Sequence, residues 1–250
     1  MKAFRALAAL PLVFGLGSAH ASLIPVDLGL SLVIDVSGSI SSSEYTLQMD
    51  GYAQAFRDSG IQSKLLSGQN GAVAVNAVFF ASGALTTSLD AFQILDSAAA
   101  IDAFAQTLDA FGRPGTGGTN IPAGMNKALG LLTGIDGPMT TNLIMDVSGD
   151  GASSAFSTQA ARDAAEAAGV VVNGLAIGSS SIATFYANNV VTSDGIVVPA
   201  ASFDDFERAV REKIEIEASS IPQVPVPGTL VLVAAGLLGV GLRRRRAATV

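Results

Sequence analysis

The sequence predicts an α/β fold, with a doubly wound, mostly parallel central sheet and helices on both faces. Three observations lead there. Residues 28–36 form a nearly unbroken apolar run, the pattern of a strand buried on both sides. Further apolar runs at 71–80, 141–147 and 170–177 alternate with segments of helical period. Polar turns follow two of these strands, Asp35-Val36-Ser37-Gly38-Ser39 and Ser148-Gly149-Asp150-Gly151. In open α/β sheets, ligand sites collect at the carboxyl ends of strands.

Composition narrows the chemistry. The 250 residues are half hydrophobic, enough for a sizeable core. There is no cysteine, which excludes disulfides, thiolate metal sites and a cysteine nucleophile. The single histidine, His20, lies in a predicted leader, leaving no imidazole for a Ser-His-Asp triad or a zinc site. Setting aside Lys2, Arg5 and the four arginines 243–246, eight basic residues face 21 acidic ones, a net −13. Such a domain repels nucleic acid and anionic membrane.

Taken in order, residues 1–21 read as a signal peptide, with a basic start, an apolar centre and Ala19-His20-Ala21 as the cleavage site, between Ala21 and Ser22. After the first strand, Ser41-x-x-Glu44 offers a capping box. Tyr45, Met49, Tyr52 and Phe56 then form a helical stripe, with the tyrosines as packing residues. The second strand is 71–80, and an antiparallel edge strand is expected at 84–89. A helix is expected over 94–111, with Ile101, Phe104, Leu108 and Phe111 on one face. The glycine-rich loop 112–120 precedes a helix at 121–132. Beyond the strand at 141–147 come an Ala-rich helix at 159–168 and a strand at 170–177. Next are a short helix near 182–187, a hairpin, and a closing amphipathic helix at 203–217 with Phe206, Val210 and Ile214 inward.

A carboxylate and two hydroxyls leaving a strand at alternate positions make a compact all-oxygen cluster, suited to a hard cation, above all Mg²⁺. The loop Gly117-Gly118-Thr119 could instead cradle phosphate at a helix start. It lacks the lysine of the Gly-x-x-x-x-Gly-Lys pattern, so a loop that brings the Thr119 hydroxyl to a metal is the preferred reading. Asp146 rivals Asp150 for the metal but lies within the strand, and reads as a supporting or structural residue. Lys64, Lys127 and Lys213 read as solvated surface.

Asp35-x-Ser37-x-Ser39, Thr119 and Asp150, in this order, resemble the metal-ion-dependent adhesion site (MIDAS) of von Willebrand factor type A (vWA) domains. The strings IDVSGSISSSEY, GGTNI, MDVSGDGA and ARDAAEAAGVVVNGLAIG are similar to an uncharacterised bacterial branch of that superfamily. The resemblance implies a vWA-like domain over 22–218. It also implies that Ser37 and Ser39 coordinate a cation directly, that Asp35 and Asp150 act directly or through water, and that Thr119 joins when ligand binds. Mg²⁺ is the expected ion, with Mn²⁺ or Ca²⁺ as alternatives.

Residues 219–227 form a proline-broken linker containing Pro225 and Pro227, followed by an apolar segment and arginine cluster at 228–246 and a tail at 247–250. The 15 apolar residues 228–242 span about 22 Å as a helix, short of the ~30 Å hydrocarbon core. This end resembles a PEP-CTERM or VPLPA-like sorting signal, which implies cleavage by an exosortase near the prolines, after transient inner-membrane anchoring with the arginines cytoplasmic. A permanent anchor is the alternative.

The expected function is therefore a non-enzymatic, exported, metal-dependent adhesion module of the cell envelope or extracellular matrix. Its ligand is a protein or polysaccharide supplying a carboxylate; signal peptidase and exosortase are processing partners. Two alternatives stay open: a metal-dependent hydrolase or phosphotransferase using Asp35, and a matrix scaffold with a vestigial site.

Overall fold

The computed structural model describes residues 24–222. The expected leader, anchor and processing positions Ala21, Ser22, Pro225 and Pro227 lie outside the described residues. Among the described residues, no helix is long and apolar enough to cross a membrane.

The described residues form six strands and seven α-helices, in the order β1 (Leu28–Asp35), α1 (Ser42–Arg57), α2 (Ser59–Leu65), β2 (Val73–Phe80), β3 (Gln93–Leu95), α3 (Ala98–Asp109), α4 (Ile121–Leu132), β4 (Leu143–Gly149), α5 (Ala155–Ala167), β5 (Val170–Ile177), α6 (Ser180–Asn189), β6 (Val197–Ala200) and α7 (Phe206–Ala218). They form one sheet in the order β3-β2-β1-β4-β5-β6, parallel except for β3. The chain winds outward from β1 through β2 to β3, then crosses back to β4 and winds the other way. The turns after β1 and β4, adjacent strands that pair Ile34 with Ser148, thus meet at the point where strand order reverses.

Alternation along the strands builds two cores. Leu28, Leu30, Leu32 and Ile34 pack with Tyr52 and Phe56 of α1, Phe104 of α3 and Phe206 and Val210 of α7. Val33, Met145 and Val147 pack on the opposite face against Ile121 and Met125 of α4, Ala161 of α5 and Tyr186 of α6. The Ser41–Glu44 capping box forms, and the expected stripe of α1 is buried. The tyrosines do pack, and each also has a hydroxyl partner: Tyr45 donates to the Phe111 carbonyl and Tyr52 to Ser148 Oγ.

Several expectations need correction. Residues 84–89 are not the antiparallel edge strand; β3 is, and Ile94 belongs to it rather than to the following helix. Thr87 and Asp90 instead cap a 3₁₀ turn at Ser88–Asp90, and such local side-chain bonds compete with ladder pairing. The expected hairpin before the last helix is a parallel edge strand, β6, because the α6 crossover returns the chain in the same direction.

Lys213 is not solvated: it is fully buried on the inward face of α7, paired with Asp146 of β4 and, at 2.8 Å, with Glu217. Asn173 Nδ2 of β5 also donates to Glu217 Oε1, at 2.9 Å. Lys127 is half-buried and bound to Asp90 at 2.7 Å, so of the three lysines only Lys64 lies on the surface, paired with Glu215. Helical amphipathicity hid this, since Lys213 falls one position from Ile214 on a face where a facing carboxylate permits a cation.

Candidate metal-binding site

The three polar segments meet at the carboxyl edge of the sheet. Asp35 ends β1, fully buried, and its Oδ1 accepts the Ser37 backbone N–H at 2.7 Å. The Ser37 and Ser39 hydroxyls lie 3.2 Å apart, and Ser39 Oγ donates to Asp150 Oδ1 at 2.8 Å. A hydrogen-bonded chain of oxygens therefore runs from the β1 turn to the β4 turn. Thr119 stands against the second turn: a β-carbon on Gly151 would lie 3.3 Å from its Oγ1. All five expected residues are thus brought to one edge, while Asp146 faces the opposite core and stays with Lys213.

The glycine-rich loop is held by its backbone. Gly117, at φ +144°, is in a conformation L side chains rarely adopt, and a β-carbon there would meet Ser82 Oγ at 2.5 Å. Its carbonyl accepts the Gly38 N–H at 2.7 Å, tying the Thr119 loop to the Asp-x-Ser-x-Ser turn. Gly118 N–H donates to Ser82 Oγ at 2.7 Å, and Asn120 caps α4.

Sequence reasoning missed Arg113. Its guanidinium donates to the carbonyls of Val36 at 2.8 Å and Ser37 at 2.7 Å, clamping the first turn. A lone cation inside a glycine-rich loop was the available signal. Arg113→Met is expected to lower stability by about 1–3 kcal/mol, because two buried carbonyls lose charge-assisted partners. A denaturant midpoint equal to wild type would contradict the clamp.

Burial pushes the Asp35 carboxyl up to about 6; the Asp150 charge adds to the rise, while Ser37 hydrogen bonds and the Arg113 charge oppose it. Its second oxygen, Oδ2, is buried without a hydrogen-bond partner, as is the Tyr186 hydroxyl. Both crowd Gly149, where a β-carbon would lie 2.8 Å from Asp35 Oδ2 and 2.7 Å from Tyr186 Oη. Gly149 therefore leaves room beside a carboxylate oxygen that has no protein donor. Two carboxylates and three hydroxyls, all hard oxygen donors, fit a small divalent cation. Among the described residues, no group of three or more His, Cys, Asp or Glu could hold a metal, so an ion here depends on the hydroxyls as well.

Comparison with known proteins agrees with the fold. The family profile described as "Protein of unknown function (DUF1194)" matches residues 25–222, and a PEP-CTERM protein-sorting motif matches residues 223–246. No curated protein matches the chain. Among solved structures, the chain is similar to proximal thread matrix protein 1 of the mussel byssus with a zinc-occupied MIDAS motif (16% identity, TM-score 0.56, 78% of this chain and 46% of that one). It is also similar to the pilus adhesin SpaC of Lactobacillus rhamnosus GG (16%, 0.56, 80% and 31%) and to a von Willebrand factor type A protein of Catenulispora acidiphila (14%, 0.52, 78% and 43%). The chain spans less than half the length of each, and at these identities the likeness concerns the fold. With 198 consecutive residues matched, the chain belongs to the DUF1194 family, a vWA-like family, and ends in a PEP-CTERM sorting motif.

Proposed function

We propose that this protein is an exported, metal-dependent binding module that engages a carboxylate on a protein or surface polymer, and that it is not an enzyme. The observation that supports the reading is the oxygen cluster itself. Ser37, Ser39, Thr119, Asp35 and Asp150 converge at one sheet edge, with Asp35 Oδ2 unpartnered beside Gly149. Ser37 and Ser39 would hold a cation through neutral hydroxyls, Asp35 and Asp150 would balance its charge directly or through water, and Thr119 would close the shell. When bound, the ion supplies an electron-poor centre that accepts an anionic ligand, because so few of its protein donors are charged. Mg²⁺ fits these donors best, with Mn²⁺ or Ca²⁺ as alternatives.

Lys213 is committed to the buried Asp146 and Glu217, Lys127 to Asp90 and Lys64 to Glu215, so each of these lysines is paired away from the cluster, which disfavours assistance to phosphoryl or acyl transfer. The PEP-CTERM motif supports export, exosortase processing and a cell-surface or matrix destination, with attachment to the inner membrane beforehand. On this reading residues 1–21 are a leader cut between Ala21 and Ser22, 22–218 the binding domain, and Pro225 and Pro227 mark the sorting segment.

The experiment is adhesion of the full-length chain to carboxylate-coated latex beads. Retention in Mg²⁺ and release by EDTA are expected, with hydroxyl-coated beads as the control. Retention that EDTA leaves unchanged would contradict the proposal.

A further inference from the structure

The chain has three tyrosines, and one hydroxyl among them stands apart. Tyr45 donates to the Phe111 carbonyl at 3.0 Å, and Tyr52 to Ser148 Oγ at 3.1 Å. Tyr186 of α6 is fully buried, yet its hydroxyl has no hydrogen-bond partner. An unpaired buried hydroxyl costs stability, and a phenylalanine ring would fill the same space without that cost. Packing therefore accounts for the ring of Tyr186 and not for its oxygen.

The course of the ring shows what the oxygen faces. Tyr186 packs on the sheet face that carries Val33 and Val147, and Asp35, two residues beyond Val33 in β1, points to that face as well. Gly174 of β5 makes room for the ring: a β-carbon there would lie 2.8 Å from Tyr186 Cδ1. Gly149 of β4 makes room for its tip, where a β-carbon would lie 2.7 Å from Tyr186 Oη and 2.8 Å from Asp35 Oδ2. The two oxygens are separated by at most the sum of those distances, about 5.5 Å. Two glycines on adjacent strands thus let a side chain of α6 reach across β5 and β4 to the end of β1.

The helix is fixed from its other side. Gln159 of α5 donates to Asn189 Oδ1 at 3.0 Å, and Asn189 Nδ2 donates to the Phe185 carbonyl at 2.8 Å. Burial and the charges of Asp35, Asp150 and Asp146 push the phenol well above its ordinary range, so it keeps its proton and can donate. Asp35 Oδ1 already accepts the Ser37 N–H, whereas Oδ2 has no donor. A carboxylate oxygen has two acceptor positions, so a donor on one leaves the other for an ion.

Resting on the metal-dependent reading above, we infer that Tyr186 is a positioning residue for the cation: its hydroxyl donates to Asp35 Oδ2 when that carboxylate serves the ion. Ser37 N–H and Tyr186 O–H then hold one carboxylate oxygen each, which fixes the plane of the group. Without the ion, the same hydroxyl contributes nothing to the fold.

The test sets Mg²⁺ affinity against metal-free stability in the full-length chain, in detergent at pH 7.5. Wild type, Tyr186→Phe and Tyr52→Phe are titrated calorimetrically with Mg²⁺ and melted in EDTA. Tyr186→Phe is expected to bind Mg²⁺ about tenfold more weakly, with a metal-free unfolding temperature equal to or above that of wild type. Tyr52→Phe, which loses a hydrogen bond already made, is expected to melt lower and to keep its Mg²⁺ affinity. Wild-type affinity in Tyr186→Phe, equal affinity losses in the two variants, or a Tyr186→Phe variant that melts lower or fails to fold would each overturn the assignment. If wild type takes up Mg²⁺ and Tyr186→Phe matches it, the assignment falls alone. If wild type takes up none, the metal reading falls with it.

Discussion

Lys213→Ala is expected to cost the domain about 3–5 kcal/mol of unfolding free energy, enough to leave much of it unfolded at moderate temperature. The reason is the neighbourhood the substitution leaves behind. Lys213 sits between Asp146 on β4 and Glu217 one turn along α7, all three buried, with Asn173 of β5 donating to Glu217 from the other side. One ammonium serves two carboxylates. Without it both lose their only cation in a place water does not reach. Urea unfolding of wild type and variant measures the loss; a difference below about 1 kcal/mol would mean that the pair does not hold α7 to the sheet.

The same cluster carries a pH signature. When both acids are ionised it has a surplus negative charge. Burial raises the Glu217 carboxyl to about 7 from its ordinary 4.5, with the Asp146 charge adding to the rise and Lys213 opposing it; burial raises Asp146 as well. The folded state therefore binds the Glu217 proton more tightly than the unfolded chain does. The stability this contributes is fully present below about pH 4.5 and is lost as pH rises through about 7. Glu217→Gln keeps an acceptor for Lys213 and Asn173 but cannot ionise, so its stability should decline less than that of wild type between pH 5 and 7.5. Parallel declines would contradict the surplus-charge account.

How far the sequence reveals all this depends on the period of each signal. The buried strands β1, β4 and β5 were legible because a run of apolar residues bounded by Gly, Asp or Ser has few other readings. The three polar segments were legible because each falls where a strand ends or a helix begins. The edges were not. Three residues at Gln93–Leu95 and four at Val197–Ala200 are too short for alternation to register, and their neighbours decide their pairing. Lys213 was misread because a cation on the apolar side of a helix looks like surface until the strand beneath it shows an aspartate. Arg113 and Tyr186 reach the site only through tertiary contact, from a loop and from the inward face of α6; a lone cation among glycines hints at the first, and no local pattern marks the second.

Asp35→Asn should abolish tight Mg²⁺ binding, with an affinity loss of at least about a hundredfold, while leaving the domain folded. The amide is isosteric and its oxygen can still accept the Ser37 N–H that Asp35 Oδ1 accepts. What disappears is the charge. In the metal-free protein that charge is a burden: Asp35 is held at about 6 rather than 3.8, chiefly by burial, so stability is present below about pH 4 and lost as pH rises through about 6. At pH 7.5 the metal-free variant should therefore be more stable than metal-free wild type, by up to about 2–3 kcal/mol from a shift of this size. Below about pH 6, where a proton competes for the same carboxylate, Mg²⁺ affinity of the wild type should fall.

Calorimetric and thermal titration of the full-length wild type and Asp35→Asn with Mg²⁺ at pH 7.5 tests the proposed metal site most directly. The account predicts saturable binding and a rising unfolding temperature for wild type, with neither in the variant, whose metal-free unfolding temperature starts higher. Equal responses of the two proteins to Mg²⁺, or an Asp35→Asn variant that unfolds without metal, would contradict it.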